Sequence, residues 1–123
     1  EVLVSDHLRS QLRQLNASGH LVPLAGSGAR ACADGLLAQA SLAFPRHIAL
    51  SPDGLVYVAD TDNGRVRVVD VAGLEVRTLL APGLISPAGV VLLPNMSKAV
   101  VADTQHHQVR SVWTNVVAAS CHA

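Results

Sequence analysis

The sequence is poor in aromatics, lysine, cysteine and net charge. Of its 123 residues only Phe44, Tyr57 and Trp113 are aromatic, Lys98 stands alone beside eight Arg, and the cysteines are Cys32 and Cys121. Nine basic and nine acidic side chains cancel, which removes the electrostatic footprint of a nucleic-acid or anionic-membrane binder. Base stacking in RNA recognition needs aromatic platforms, and three scattered rings do not supply one. No apolar run approaches the roughly 18 residues of a membrane-spanning helix, so direct membrane insertion is not expected. Gly-x-Ser-x-Gly, a phosphate loop and Cys-x-x-Cys are all missing. Asp34 and Asp53 read as isolated loop acids, with no partner carboxylate for acid–base work. No catalytic residue and no cofactor is assigned.

What is abundant is small and apolar: 18 Val, 18 Ala and 17 Leu. The valines favour strands, and the length allows one small domain at most. An internal repeat organises the chain. The run from Tyr57 to Arg67, Tyr-Val-Ala-Asp-Thr-Asp-Asn-Gly-Arg-Val-Arg, returns as Val101-Ala-Asp-Thr-Gln-His-His-Gln-Val-Arg110. Asp60 and Asp103 are 43 residues apart, and the upstream prolines Pro45 and Pro87 are 42 apart. A weaker copy opens the chain, with Asp6 lying 54 residues before Asp60. Its extra length falls between Gly28 and Phe44, as expected when one inter-strand loop absorbs an insertion.

Within the clearest copy the apolar period is 2, the signature of a strand. Val56 and Val58 alternate with Tyr57 and Ala59, and Val66 and Val68 alternate with Arg65 and Arg67. Turn signals at Ser51-Pro-Asp-Gly54, Asp62-Asn-Gly64 and Ala72-Gly73 separate the runs. Four strands are expected, near 47–51, 55–60, 65–70 and 75–80. No segment has room for the crossover helix that parallel strands require. The fold class is therefore all-β, a partial β-propeller of four-stranded antiparallel blades. Residues 6–16 also fit an amphipathic helix through Leu8, Leu12 and Leu15, but their match to the other copies favours strands. A helical turn is expected within 35–42.

These residues resemble NHL repeats, a family of propeller blades. The likeness rests on Pro45 to Leu50, Asp53-Gly54, Val56 to Thr61, Asn63 and Arg65 to Arg67. In the last copy it rests on Pro87, Gly89, Val101 to Thr104, His107, Val109 and Arg110. His47 stands where the pattern has Gly, and Gly64 where it has His. The resemblance implies the outer strands of a first blade at 1–28, an inter-blade insertion at 29–44, a full blade at 45–83, a third at 84–119 and a tail at 120–123. Ring closure takes at least four blades, so the sequence is expected to be a piece of a longer protein. The implied role is a non-catalytic protein–protein interaction or scaffolding module. Its partners would be protein, either other blades of the same polypeptide or subunits of an assembly. The alternatives are a fragment of a propeller enzyme, of metal-dependent hydrolase or peptide-amidating lyase type, and the sensor domain of a receptor.

Candidate sites follow from the repeat. Asp6, Asp60 and Asp103 recur once per copy and read as structural devices that accept hydrogen bonds from turn backbone and from Arg65 or Arg110 of the same blade. Asn63, Arg67 and His107 are structural repeat positions of the same kind. Adjacent residues point apart, so His106 and His107 do not form a metal site. His47 begins an innermost strand, where related enzymes hold metals; it is a weak metal candidate, and no metal is assigned. Asn16 and Asn95 each begin an Asn-x-Ser sequon in a turn, which favours a secreted or lumenal setting over a cytoplasmic one. Cys32 and Cys121, 89 residues apart, fit a disulfide there or two separate thiols.

Overall fold

Side-chain alternation along the strands decides how the sheets stack. The computed structural model describes residues 2–122. Strands β1 (Leu3–Asp6), β2 (Gln11–Leu15) and β3 (Leu21–Ala25) form a three-stranded antiparallel sheet in that order. The second sheet holds β4 (Gly35–Leu36), β5 (Pro45–Leu50), β6 (Leu55–Asp60), β7 (Arg65–Asp70) and β8 (Glu75–Thr78), in the order β4-β8-β7-β6-β5. The third holds β9 (Pro87–Leu92), β10 (Lys98–Asp103) and β11 (Gln108–Trp113), in the order β11-β10-β9. All strand pairings are antiparallel; β1–β3, β5–β8 and β9–β11 are each meanders, with β4 added outside β8, and the four strands of the clearest repeat lie where its alternation places them.

The central sheet is buried on both faces, which explains its valine-rich runs. Val56, Val58, Val69 and Val76 pack with Leu12, Ala25, Ala40 and Leu42 on the side of the first sheet. Tyr57, Ala59, Val66 and Val68 pack with Val90, Ala99, Val101 and Val112 on the side of the third. Successive sheets therefore share cores face to face. Their innermost strands also meet: the Ser5 hydroxyl donates to the Arg46 carbonyl of β5, and His47 of β5 bonds the Val90 backbone of β9. Sheets fanned in this way about a line of inner strands form part of a β-propeller.

The hairpins share one turn. Ser10, Gly64 and His107 occupy equivalent places in the three copies, and all three take left-handed φ, at 52°, 63° and 52°. Gly64 fits because a Cβ there would sit 3.0 Å from the Leu84 carbonyl oxygen. In the first copy Asp6 accepts the Arg9 backbone N–H, so the chain reverses after β1 instead of coiling, and Leu12 points into the core. Residues 37–39 form a turn closed by bonds from the Gln39 and Ala40 N–H groups to the Leu36 carbonyl.

The third sheet has three strands among the described residues, where four are expected. Beyond Trp113 the chain runs back to the second sheet: Val117 bridges Leu79, the Leu80 N–H donates to the Val116 carbonyl, and the Ala118 N–H donates to the Thr78 carbonyl. The insertion covers the other half of the same edge, where Gly35 and Leu36 pair with Val76 and Glu75. Insertion and tail together close the outer edge of β8, a protection that exposed edge strands need.

Leu12 has no exposed surface and sits between the first two sheets, whereas Leu8, in the preceding turn, is 83% exposed. Leu12→Ala is expected to cost about 2–5 kcal/mol, and Leu8→Ala less than about 0.5 kcal/mol. Urea denaturation of the two variants measures both.

Candidate functional site

The repeated aspartate closes β6 of the central sheet. Asp60, wholly buried, accepts the Ala43 backbone N–H at 2.8 Å, Asn63 Nδ2 at 2.7 Å and Arg67 Nη1 at 2.8 Å. Burial pushes its carboxyl above the ordinary 3.8, against the pull of Asn63, the Ala43 N–H and Arg67. Arg67 is also wholly buried. Its two terminal nitrogens donate to Asp60, to the Ser41 and Ala33 carbonyls, and to Asp34 Oδ1 at 2.9 Å. Thr78 of β8 donates to the same Asp34 oxygen at 2.7 Å. One guanidinium thus ties the insertion to two strands of the blade.

Two expectations change here. The arginine bonded to Asp60 is Arg67, not Arg65: the two share one face of β7, but Arg65, directly opposite Asp60 at the strand's start, reaches the Gly64 and Cys121 carbonyls, while the buried Arg67 reaches Asp60 diagonally. Asp34 is not an isolated loop acid, since the insertion folds back and delivers it to Arg67 and Thr78. The signal available in the sequence was the seven-residue spacing of Asp6–Arg13, Asp60–Arg67 and Asp103–Arg110. Its outcome differs from copy to copy. Asp6 meets Arg9 at 3.0 Å and Arg13 at 3.5 Å. Asp103 accepts the Ser86 and Ile85 N–H groups and His106 Nδ1 at 2.7 Å, and no ion pair joins it to Arg110 among the described residues. His107 serves as the left-handed residue of its turn.

His47 lies at the inner edge, exposed, with Nδ1 2.9 Å from the Val90 carbonyl oxygen and 3.2 Å from the Val90 nitrogen. It links neighbouring blades. Among the described residues no group of three His, Cys, Asp or Glu could hold a metal ion. Beside His47 opens a hollow of about 310 Å³, lined by Gly89, Val90, Val91, Val100, Ala102 and Val109. This is the outer face of the third sheet, where Val91 is 53% and Val109 72% exposed. Asn16 and Asn95 both lie in exposed hairpin turns, where their side chains accept the N–H groups of Ser18 and Ser97. The structure joins Cys32 to Cys121, with Cα atoms 5.6 Å apart.

The repeat geometry now has a counterpart among known proteins. A family model for the NHL repeat matches residues 42–69, from the end of the insertion through β7. Residues 42–69 are an NHL repeat. The chain is 29% identical over 117 residues to the protein SUPPRESSOR OF QUENCHING 1, chloroplastic, of Arabidopsis thaliana. That match takes in 91% of this chain and 11% of the plant protein. A solved protein of unknown function from Bacteroides thetaiotaomicron superposes with a TM-score of 0.80 at 19% identity, over 90% of this chain and 32% of that one. An auxiliary nutrient binding protein of Bacteroides ovatus gives 0.71 at 16% identity, over 86% and 33%. Hydrazine synthase of Kuenenia stuttgartiensis gives 0.60 at 20% identity, over 93% and 32%. These are likenesses of fold, and the chain spans about a third of each of these solved structures.

Asp6 and Asp103 set an acid limit. Hydrogen bonding from Arg9 holds Asp6 below 3.8. At Asp103 burial raises the carboxyl, but the Ser86 N–H, His106 and the Ile85 N–H outweigh it and bring it below 3.8. An unfolded chain with ordinary carboxyls then binds more protons as pH falls, so this contribution is complete above about pH 4–5 and is lost on acidification through the folded values. Asp103→Asn is expected to flatten that acid loss; chemical denaturation at pH 3, 4, 5 and 7 measures it.

Proposed function

We propose that the chain is a non-catalytic NHL-type propeller segment that acts as a protein–protein interaction or scaffolding module within a larger protein or assembly. The observation that carries this reading is the open face of the third sheet. Val91, Val100, Ala102 and Val109 occupy the positions held one repeat earlier by Ala49, Tyr57, Ala59 and Val66. There the same face is covered, and Tyr57, Ala59 and Val66 belong to a core shared with the next sheet. An apolar sheet face patterned for a neighbour and left uncovered is an interaction surface. Its fitting partner is another antiparallel sheet with an apolar face, a further blade of the same polypeptide or of a partner subunit.

Such a surface is sensitive to charge, because burying an unpaired carboxylate is costly. The 123-residue chain is expected to associate with rising concentration through this face. Val100→Asp/Val109→Asp should keep the chain monomeric with unchanged far-UV circular dichroism. Analytical ultracentrifugation of both proteins decides it; equal association by the two would overturn the reading.

A further inference from the structure

The end of the chain lies on a strand other than the one its repeat register assigns to it. In the complete blade, β7 is followed after four residues by β8, with Arg67 opposite Thr78 and Asp70 opposite Glu75. Advancing that blade by its 43-residue period places β11 on β7 and residues 118–121 on β8. The register then sets Arg110 opposite Cys121 and Trp113 opposite Ala118. In the structure residues 116–118 pair instead with Thr78, Leu79 and Leu80 of the neighbouring sheet, and the outer edge of β11 takes no strand among the described residues. The displaced segment is fastened by the Cys32–Cys121 disulfide and by the bond from Arg65 Nε to the Cys121 carbonyl at 3.1 Å.

We propose that the Cys32–Cys121 disulfide is a redox latch that selects which sheet edge the tail pairs with: that of β8 when oxidised, that of β11 when reduced. The latched position has three facing residue pairs, 78 with 118, 79 with 117 and 80 with 116, joined by bonds from Leu80 N–H to Val116 and from Ala118 N–H to Thr78. The repeat register offers four facing residue pairs, as in the complete blade. Alternation fits as well: Ala119 and Cys121 would occupy the inward places held by Val76 and Thr78, both buried. Cys32 is the more accessible sulfur, since it is half-buried whereas Cys121 is buried. A dithiol reductant attacks Cys32 Sγ as thiolate, the S–S bond breaks, and Cys121 leaves and takes up a proton. The second thiol of the reductant then resolves the mixed disulfide. Two protein thiols and one oxidised dithiol result, and a disulfide oxidant reverses the exchange.

Hydrogen exchange of the 123-residue chain, oxidised and after treatment with dithiothreitol, tests this. On reduction, outward-facing amides of β11 should exchange at least tenfold more slowly and the Leu80 amide at least tenfold faster. A second test traps the product: in Cys32→Ser/Arg110→Cys, mild oxidation should link position 110 to Cys121, seen by peptide mass mapping. Loss of Leu80 protection without any gain in β11 would mean a tail merely set free, and would overturn the proposal. So would an unchanged pattern at both edges, a general rise in exchange that includes the β6 and β7 core, or failure of the 110–121 link to form.

Discussion

A single buried guanidinium sets the constraints on the central blade. Arg67 has no exposed surface, and four polar contacts meet its two terminal nitrogens, yet its Nε finds no partner among the described residues. A charge so placed must be neutralised, because desolvating it alone costs several kcal/mol. Asp60 supplies one counter-charge from within the blade and Asp34 the other from the insertion. The insertion therefore cannot drift from the blade without stranding a charge. The upward push on Asp60 fits the same account: burial of the pair is itself expensive, so its gain lies in fixing one arrangement rather than in raw stability.

That arrangement passes outward through the sheets. With the insertion held, Ala40 and Leu42 are delivered to the core between the first two sheets, and Gly35–Leu36 cover half of the β8 edge. The central blade, apolar on both faces, then acts as the wall against which its neighbours stack. The third sheet repeats this pattern but leaves its own outer face uncovered, and the proposed interaction surface is the direct consequence. His47, bonded to the Val90 backbone, is spent on joining two blades at the inner edge.

Much of the fold was legible in local pattern. Period-2 valines and the Asp-Gly and Asn-Gly turns marked the strands of the central blade, and the recurring aspartate marked its structural corner. What escaped was long-range. Nothing near Asp34 signals that a chain segment 33 residues away will bury Arg67 beside it. Arg65 and Arg67 share composition, neighbourhood and strand face, and only the packing of the insertion over residue 67 distinguishes them. The tail was the harder case, since its repeat register points to β11 while a cysteine 89 residues away holds it on β8. The open face of the third sheet was hidden for a simpler reason: exposure depends on what is absent from a sheet's flank, which strand periodicity does not encode.

The central claim is that Arg67 and its carboxylates act as a unit rather than as separate contacts. A double-mutant cycle of Arg67→Met with Asp60→Leu, read by urea denaturation, tests it most directly. Arg67→Met strands the buried Asp60 carboxylate, and Asp60→Leu leaves Arg67 with Asp34 as its one counter-charge, whereas the double change removes both wholly buried groups. The account predicts that the double variant is more stable than the sum of the single losses by about 1–3 kcal/mol. Additive losses, with a coupling indistinguishable from zero, would contradict it.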